Sequence, residues 1–435
     1  MSPANLSTQR RWIAELARRK PLEVLTSLHH VIDLEWMQEA YERTRKDGAR
    51  GIDGVTATDY ATDLEAKLGD LIDRLKSGCY KAPPVRRTYI PKADGSQRPL
   101  GIPTFEDKVA QRAIVMVLEA VYEQDFLPCS YGFRPGRSAH EALRVLYGAI
   151  TRQGQYFVLD VDIRKYFDTI PHGQLRAILD QRVTDGVVRR MIDKWLKAGV
   201  LENGLLHLGT EGTPQGGVIS PMLSNIYLHH VLDEWFENEV KPRMAGPCTL
   251  VRFADDFVMT FKNHRDAERV LEVLGKRLER FGLTLHPDKT RFIDFRPERP
   301  GGVHPDCKGP PFDFLGFTHT WATSQKGKKV VRQRTAKSRL ARALRTVNDW
   351  CRANRHRPVP WQHARLSAKL VGHYAYYGIT GNMAQLGRYL RQATRLWKKW
   401  LERRTRSEPI PWDRFTDFLA RHPLPSARII HRYVT

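Results

Sequence analysis

Residues 250–261 read "LVRFADDFVMTF". Two apolar runs, 250–253 and 257–261, close around a bare pair of acids, Asp255 and Asp256. No other stretch constrains the fold as tightly. Runs this apolar predict a buried β-hairpin, and an ionised carboxylate does not stay buried without a partner. In a straight strand the two acids would point to opposite faces, whereas at the tip of a tight hairpin both reach one place. Asp is also an ordinary turn residue, so the motif by itself leaves a plain surface turn open.

A second acidic strand narrows the choice. "VLDVDIRKYFD" (158–168) puts Asp160 and Asp162 on one face of a predicted strand, with Asp168 just beyond. Two apolar strands that both carry carboxylates need a shared cation. Hard oxygen ligands suit Mg²⁺, which keeps waters and accepts phosphate oxygens from a substrate. Two such ions stabilise the attacking and leaving oxygens of an in-line phosphoryl displacement.

The charge of the chain points to the same chemistry. Its 435 residues carry a formal net charge of +23, which suggests a long polyanionic partner. The surplus is concentrated: 337–435 holds 21 Lys and Arg against 5 Asp and Glu. A solvated basic surface is the plain alternative, but aromatics interleave these cations. Together with the carboxylates, the charge points to nucleotidyl transfer. No stretch of eighteen apolar residues exists, so no membrane partner is expected. The first 25 residues lack an apolar signal core, and the five cysteines form no C-x-x-C pair. A reducing cytoplasm, without disulfides or zinc, is the expectation.

The length suggests two or three domains. Residues 1–76 read as helical around a Gly-rich loop, "GARGIDGV". "VRRTYIPK" and "QRPLGIPT" flank an Asp-Gly turn and predict a hairpin. A helix is expected over 106–122, a strand over 156–163, and helices over 172–183 and 185–198. The Gly/Pro loop "TEGTPQGG" leads into another helix. The acidic hairpin follows, then a helix over 264–281 and a strand pair in "FDFLGFTH" and "KKVVRQR". Helices are expected over 337–353, 361–376 and 382–404. The layout is α+β followed by all-helix, with expected divisions at 1–84, 85–330 and 331–435.

These segments, in this order, resemble the reverse transcriptases of group II introns, also called intron maturases. The resemblance rests on "GARGIDGV", "YIPKADGSQRPLGIPT", "SYGFRPGRSAHEAL", "VLDVDIRKYFDTIPH", "GTPQGGVISPMLSNIYL", "VRFADDFV", "LTLHPDKTRF" and "FDFLGF". It implies a right-hand polymerase, with fingers and an antiparallel palm sheet followed by a helical thumb. It implies that Asp162, Asp255 and Asp256 bind two Mg²⁺ ions, with Asp160 the alternative in the first strand. Lys92 and Arg98 match the pair that grips the incoming triphosphate. Gln215 and Gly216 match the loop against the incoming nucleotide, and Phe167 the bulky residue that rejects a 2′-hydroxyl. Lys289 matches a late palm lysine near the leaving pyrophosphate, a candidate general acid. Phe314, Leu315 and Gly316 match the primer grip. One departure is visible: the family commonly has Tyr where this chain has Phe253.

In the basic tail, helical spacing makes Leu390, Leu396, Trp397 and Trp400 core residues. It turns Arg391, Arg395, Lys398, Lys399, Arg403 and Arg404 toward nucleic-acid phosphates. The resemblance implies an RNA template with a DNA primer, dNTPs and structured intron RNA as partners, with no obligate protein partner. The chain ends at "SARIIHRYVT" with no H-N-H endonuclease pattern, and the resemblance is to the bacterial form without one. The expected activity is RNA-directed DNA synthesis with a role in intron splicing and mobility. A free-standing enzyme of repair or defence, and a splicing factor with a vestigial polymerase, are the alternatives. The intact aspartates argue against the last.

Overall fold

The three strand-pair patterns of the sequence all form in the computed structural model. It describes residues 4–21, 23–91, 97–202, 205–207, 212, 216–297, 309–324, 326–404 and 409–432. The strands in chain order are β1 Val85–Pro91, β2 Gln97–Ile102, β3 Phe157–Val161, β4 Val200–Glu202, β5 Leu205–His207, β6 Cys248–Phe253, β7 Asp256–Phe261, β8 Arg291–Asp294, β9 Phe312–Phe314, β10 Phe317–Thr323 and β11 Lys329–Thr335. The first helices are α1 Ala4–Arg19, α2 Leu34–Arg43, α3 Ala57–Ala61, α4 Leu64–Ser77 and α5 Phe105–Tyr122. Then come α6 Ala139–Gln153, α7 Tyr166–Thr169, α8 His172–Asp180, α9 Gly186–Lys197, α10 Ser220–Leu228 and α11 His264–Arg280. The last four are α12 Lys337–Ala353, α13 Val359–Tyr377, α14 Met383–Glu402 and α15 Trp412–Arg421. Mixed helix and sheet is therefore the architecture, as expected.

The chain forms two compact units. The first holds Met1–Ala142 and Val158–Phe292, and the second Leu143–Phe157 and Ile293–Thr435. At the centre of the first unit lies α5. Thr104 caps it, accepting a hydrogen bond from the Asp107 amide at 3.2 Å. Its apolar residues run all round the helix, so it is buried on nearly every side, with α1 and α2 packed against it. Trp36 of α2 donates its indole N–H to the Ala113 carbonyl at 3.0 Å.

Two sheets belong to the first unit. In one, the order is β2-β1-β4-β5, with β1 antiparallel to β2 and parallel to β4. Strands β4 and β5 are short and were not legible in the sequence. In the other, the order is β6-β7-β3-β8, where β8 contributes Arg291 and Phe292 to this unit. Beyond α10 the helix continues through two π-helical turns, His229–Asp233 and Phe236–Val240. Such turns interrupt the regular ladder and are often found at functional sites.

The second unit carries the antiparallel meander β9-β10-β11 and the helices α12–α15. Its core joins Leu340, Val347, Leu370, Tyr374, Trp397 and Phe415. Trp397 and Trp400 are core, as their spacing predicts, and donate to Gln362 and Asn348, each at 3.0 Å. Helix α12 spans the expected range, while α6 and α15 are additional. Among the described residues, no helix is long and apolar enough to cross a membrane.

Candidate active site

The acid pair sits on a two-residue turn. Residue Phe253 faces Asp256 across the β6–β7 register, so Ala254 and Asp255 alone make the reversal. A tight reversal of this kind needs a positive φ in the turn. Ala254 supplies it at φ 58, a left-handed conformation that strains a residue with a Cβ. Surrounding structure holds it there. Arg252 is fully buried and donates to Asp233 at 2.7 and 2.5 Å, to Asn225 at 3.0 Å, and to the Ala254 carbonyl at 3.1 Å. Asn225 in turn donates to the Gly132 carbonyl at 2.8 Å.

Gly132 explains why "SYGF" belongs here. The segment lies along the outer edge of β6: the Tyr131 amide donates to the Arg252 carbonyl, and the Arg252 amide to the Cys129 carbonyl, both at 2.9 Å. A Cβ on Gly132 would collide with the Ala254 backbone, so only glycine permits the approach. Phe253, the departure from the family pattern, is half-buried with its ring 6.4 Å from the exposed ring of Phe133.

Strand β3 lies beside β7 and delivers Asp162 just past its end. The Asp162 carbonyl accepts the His286 amide at 2.8 Å, and its carboxylate meets the Lys289 ammonium at 2.9 Å. Lys289 thus sits at the acidic centre. Asp160, the alternative in this strand, is paired with Arg291 at 2.6 Å. The structure therefore separates the two: Asp160 is engaged by an arginine of β8, while Asp162 is partly open and shares its surroundings with Asp255. Burial pushes the Asp255 carboxyl above its ordinary pKa, and the negative charge of Asp162 adds to the rise. Arg98 and Arg252 pull it back. Arg98, exposed on β2, is thus felt electrostatically at the acid turn. Asp256 opens β7 on the exposed side.

Two acids that repel each other in a poorly solvated place favour a cation between them. The oxygen donors fit a hard divalent ion that retains its own waters. Among the described residues, no group of three His, Cys, Asp or Glu side chains converges for a metal. The carboxylates that influence each other at the turn are Asp162 and Asp255, with Asp256 next in the chain.

Several other expected residues gather in the same unit. Phe167 is half-buried on the single turn α7, its ring edge-on to buried Tyr166 at 5.2 Å. Gly216 has φ 107, and a Cβ there would stand 2.5 Å from the Gly101 carbonyl oxygen at the end of β2. Gly216 thus lies against the β1–β2 hairpin. Lys92 and Gln215 lie outside the described residues.

In the second unit, Leu315 (φ 49) and Gly316 (φ 80) form the β9–β10 turn, and Tyr376 donates to the Leu315 carbonyl at 2.9 Å. Phe314 faces the core and is 1% exposed. On α14, Arg391, Arg395 and Lys399 are exposed at four-residue spacing, and Arg388 extends the stripe. Lys398 departs from the expectation. It is buried, paired with Glu402, and its ammonium lies 4.9 Å from the Trp412 ring centre. One residue is about 100° of helix rotation, enough to turn Lys398 inward while Lys399 faces out.

Sequence reasoning missed the support beneath the turn. Asp233 and Asn225 lie on the helical run after the glycine loop, where their spacing resembles ordinary helix polarity. Arg252 in the middle of an apolar strand was the available signal, since a buried arginine demands a carboxylate.

Comparison with known proteins adds an independent line. Residues 90–319 match the family described as reverse transcriptase (RNA-dependent DNA polymerase). Protein YkfC of Escherichia coli is 37% identical over 322 residues, covering 66% of this chain and 84% of that protein. The group II intron-encoded protein LtrA of Lactococcus lactis subsp. cremoris is 44% identical over 168 residues, 38% of this chain and 28% of LtrA. An uncharacterized 91 kDa protein in the cob intron of Schizosaccharomyces pombe is 44% identical over 171 residues, 39% of this chain and 21% of that protein. The chain thus spans most of YkfC but well under a third of the two intron proteins.

Proposed function

Because this chain belongs to the reverse transcriptase (RNA-dependent DNA polymerase) family, of the group II intron type, we propose that it copies RNA into DNA at the acid turn and binds intron RNA to assist splicing and mobility. The observation that carries this reading is that Asp162, just past the end of β3, and the half-buried Asp255 of the β6–β7 turn act on each other electrostatically.

The family is enzymatic, an RNA-directed DNA polymerase, and its substrates are nucleic acids. On this reading residues 85–330 are fingers and palm, 331–435 the thumb or maturase region, and 1–84 an N-terminal extension opening the fingers. Asp162 and Asp255, with Asp256, would hold two Mg²⁺ ions. A metal held by these carboxylates would supply positive charge that acidifies the primer 3′-hydroxyl and offsets the charge of the phosphates.

The chain's own groups do the rest. Arg98, with Lys92, grips the triphosphate through charge-assisted hydrogen bonds. Gln215 and Gly216 offer backbone and amide to the nucleotide. Phe167 fills the space a 2′-hydroxyl would need. Lys289, already beside Asp162, donates a proton toward the departing pyrophosphate. The turn of Leu315 and Gly316 steadies the primer. Phe314 supports that turn from the core.

The direct test is extension of a DNA primer on an RNA template by the purified chain. We expect synthesis with Mg²⁺ and none with a chelator; metal-independent or template-independent synthesis would sink the reading. The intron role is tested separately, by adding the chain to a self-splicing intron RNA encoded around its gene and measuring splicing at low Mg²⁺.

The exposed stripe of α14 gives a second expected result. Each phosphate contact contributes roughly 0.7 to 0.9 to the slope of log affinity against log salt. Neutralising Arg391, Arg395 and Lys399 together should flatten that slope by about 2 to 3 for RNA, measured by filter binding. An unchanged slope refutes phosphate contact. Lys398→Gln should leave the slope alone and lower the melting temperature instead, because it breaks the Glu402 pair.

A further inference from the structure

Helix α5 carries a buried acid that the reaction as described does not use. Asp107 is 1% exposed. One of its oxygens accepts from the Tyr80 hydroxyl at 2.8 Å and the Trp195 indole at 2.6 Å. The other accepts from the Gln111 side-chain amide at 2.9 Å. Gln111, 3% exposed, then accepts the Ile219 backbone N–H at 3.1 Å through its own carbonyl oxygen.

The orientation of that amide is forced. An ionised carboxylate only accepts and a peptide N–H only donates, so Gln111 must turn its NH₂ to Asp107 and its oxygen to Ile219. Ile219 is itself the N-cap of α10. Its carbonyl starts α10, accepting from Met222 at 3.0 Å and Leu223 at 3.1 Å. Three residues before it, Gly216 lies so near the Gly101 carbonyl that a Cβ would collide with it. Ile219 is therefore held to α5 by a hydrogen bond, while Gly216 lies close against β2.

We propose that Asp107 and Gln111 are positioning residues for the incoming nucleotide: the carboxylate locks the Gln111 amide, the amide holds Ile219, and this bond sets the height of the Gly216 loop at the nucleotide. The proposal rests on the reading of Gln215 and Gly216 as the nucleotide-binding loop.

The test is single-nucleotide incorporation on an RNA template, measuring KM for dNTP and kcat separately. Asp107→Asn keeps the shape but places an NH₂ opposite the Gln111 NH₂, so Gln111 flips and sets donor against donor at Ile219. We expect KM to rise about tenfold with kcat within about twofold, the scale of one lost hydrogen bond. In the double variant Asp107→Asn/Gln111→Glu, the new carboxylate accepts from both the introduced asparagine amide and the Ile219 N–H, and KM returns toward wild type. A purely structural role would change melting temperature without this split and rescue.

Acid offers a matching readout. Burial raises the Asp107 carboxyl to about 6, opposed by the Tyr80, Trp195 and Gln111 hydrogen bonds and aided by Glu106. The other charges nearby are Arg74, paired with Glu106 at 3.0 Å, and Lys194, held by the Gly78 and Tyr80 carbonyls at 2.5 Å. Below pH 6 the wild-type KM should rise more steeply than that of Asp107→Asn, so that the gap between the two closes; a gap that stays constant overturns the proposal.

An unchanged KM in folded Asp107→Asn overturns the proposal. If that variant does not fold, Gln111→Met, which leaves Tyr80 and Trp195 on Asp107, takes its place, and an unchanged KM there overturns the proposal equally. Gly216→Ala separates the two levels. If it raises KM while the α5 variants do not, the linkage alone fails. If it too leaves KM unchanged, the nucleotide-loop reading fails and the proposal falls with it.

Discussion

Asp255→Asn should abolish primer extension on RNA while the protein stays folded and keeps its RNA affinity. On the proposed reading this carboxylate holds the charge that offsets the phosphates during transfer, a contribution of several kcal/mol. Removing it should cost about 10³-fold or more in rate. RNA affinity is expected to survive, because the proposed phosphate contacts are the exposed cations of α14 in the other compact unit.

Stability should move the other way. Burial raises the Asp255 carboxyl above its ordinary value, with Asp162 adding to the rise. The fold therefore retains a proton that the unfolded chain has released, and the contribution of this group to stability falls as pH rises through that window. Asparagine carries no charge to desolvate. Without added metal, Asp255→Asn should melt no lower than wild type at pH 7, with the advantage shrinking toward pH 4. Extension assays, RNA filter binding and melting at both pH values check the three parts. Full extension by the mutant would remove Asp255 from the site, and a lower melting temperature at pH 7 would refute the electrostatic account.

The second large effect lies beneath the turn. Asp233→Ala should destabilise the chain by about 3 to 5 kcal/mol, because it leaves the buried Arg252 guanidinium without its carboxylate. Both side chains are 0% exposed, so no solvent screens the loss. Activity should fall beyond the unfolded fraction, since Arg252 also donates to the Ala254 carbonyl and helps hold the strained turn. The double change Arg252→Met/Asp233→Leu should recover much of the stability, as apolar replacements of buried pairs often do. Its activity should stay low, because no donor then reaches Ala254. Urea unfolding and primer extension on the same preparations check this. Wild-type stability in Asp233→Ala would show that the pair is not buried as described.

Much of the site was legible from local pattern. Two short strands around an Asp-Gly turn predict the β1–β2 hairpin, and the long apolar run over 106–122 predicts α5. The two acidic strands were read as partners from chemistry alone, because buried carboxylates need a common counter-charge. The short strands β4 and β5 were not legible. With three residues each they carry too little alternation, and β4 exists because β1 pairs with it. Asp107 and Gln111 looked like ordinary polar positions four apart on a helix. Their role depends on Tyr80, Trp195 and Ile219, 27, 88 and 108 residues from their partners.

By itself, then, the sequence determined the hairpins, the helical tail, the excess of positive charge and the family. Each is set by neighbours along the chain, or by an ordered series of motifs. Tertiary structure decided what each acid meets. Asp160 and Asp162 are equivalent on their own strand, and only the fold pairs Asp160 with Arg291, 131 residues away, and sets Asp162 between Lys289 and the charge of Asp255. Likewise Lys398 and Lys399 are equal in sequence, and packing of α14 buries one and exposes the other. Charge is a property of a residue, but its availability depends on what the fold brings against it.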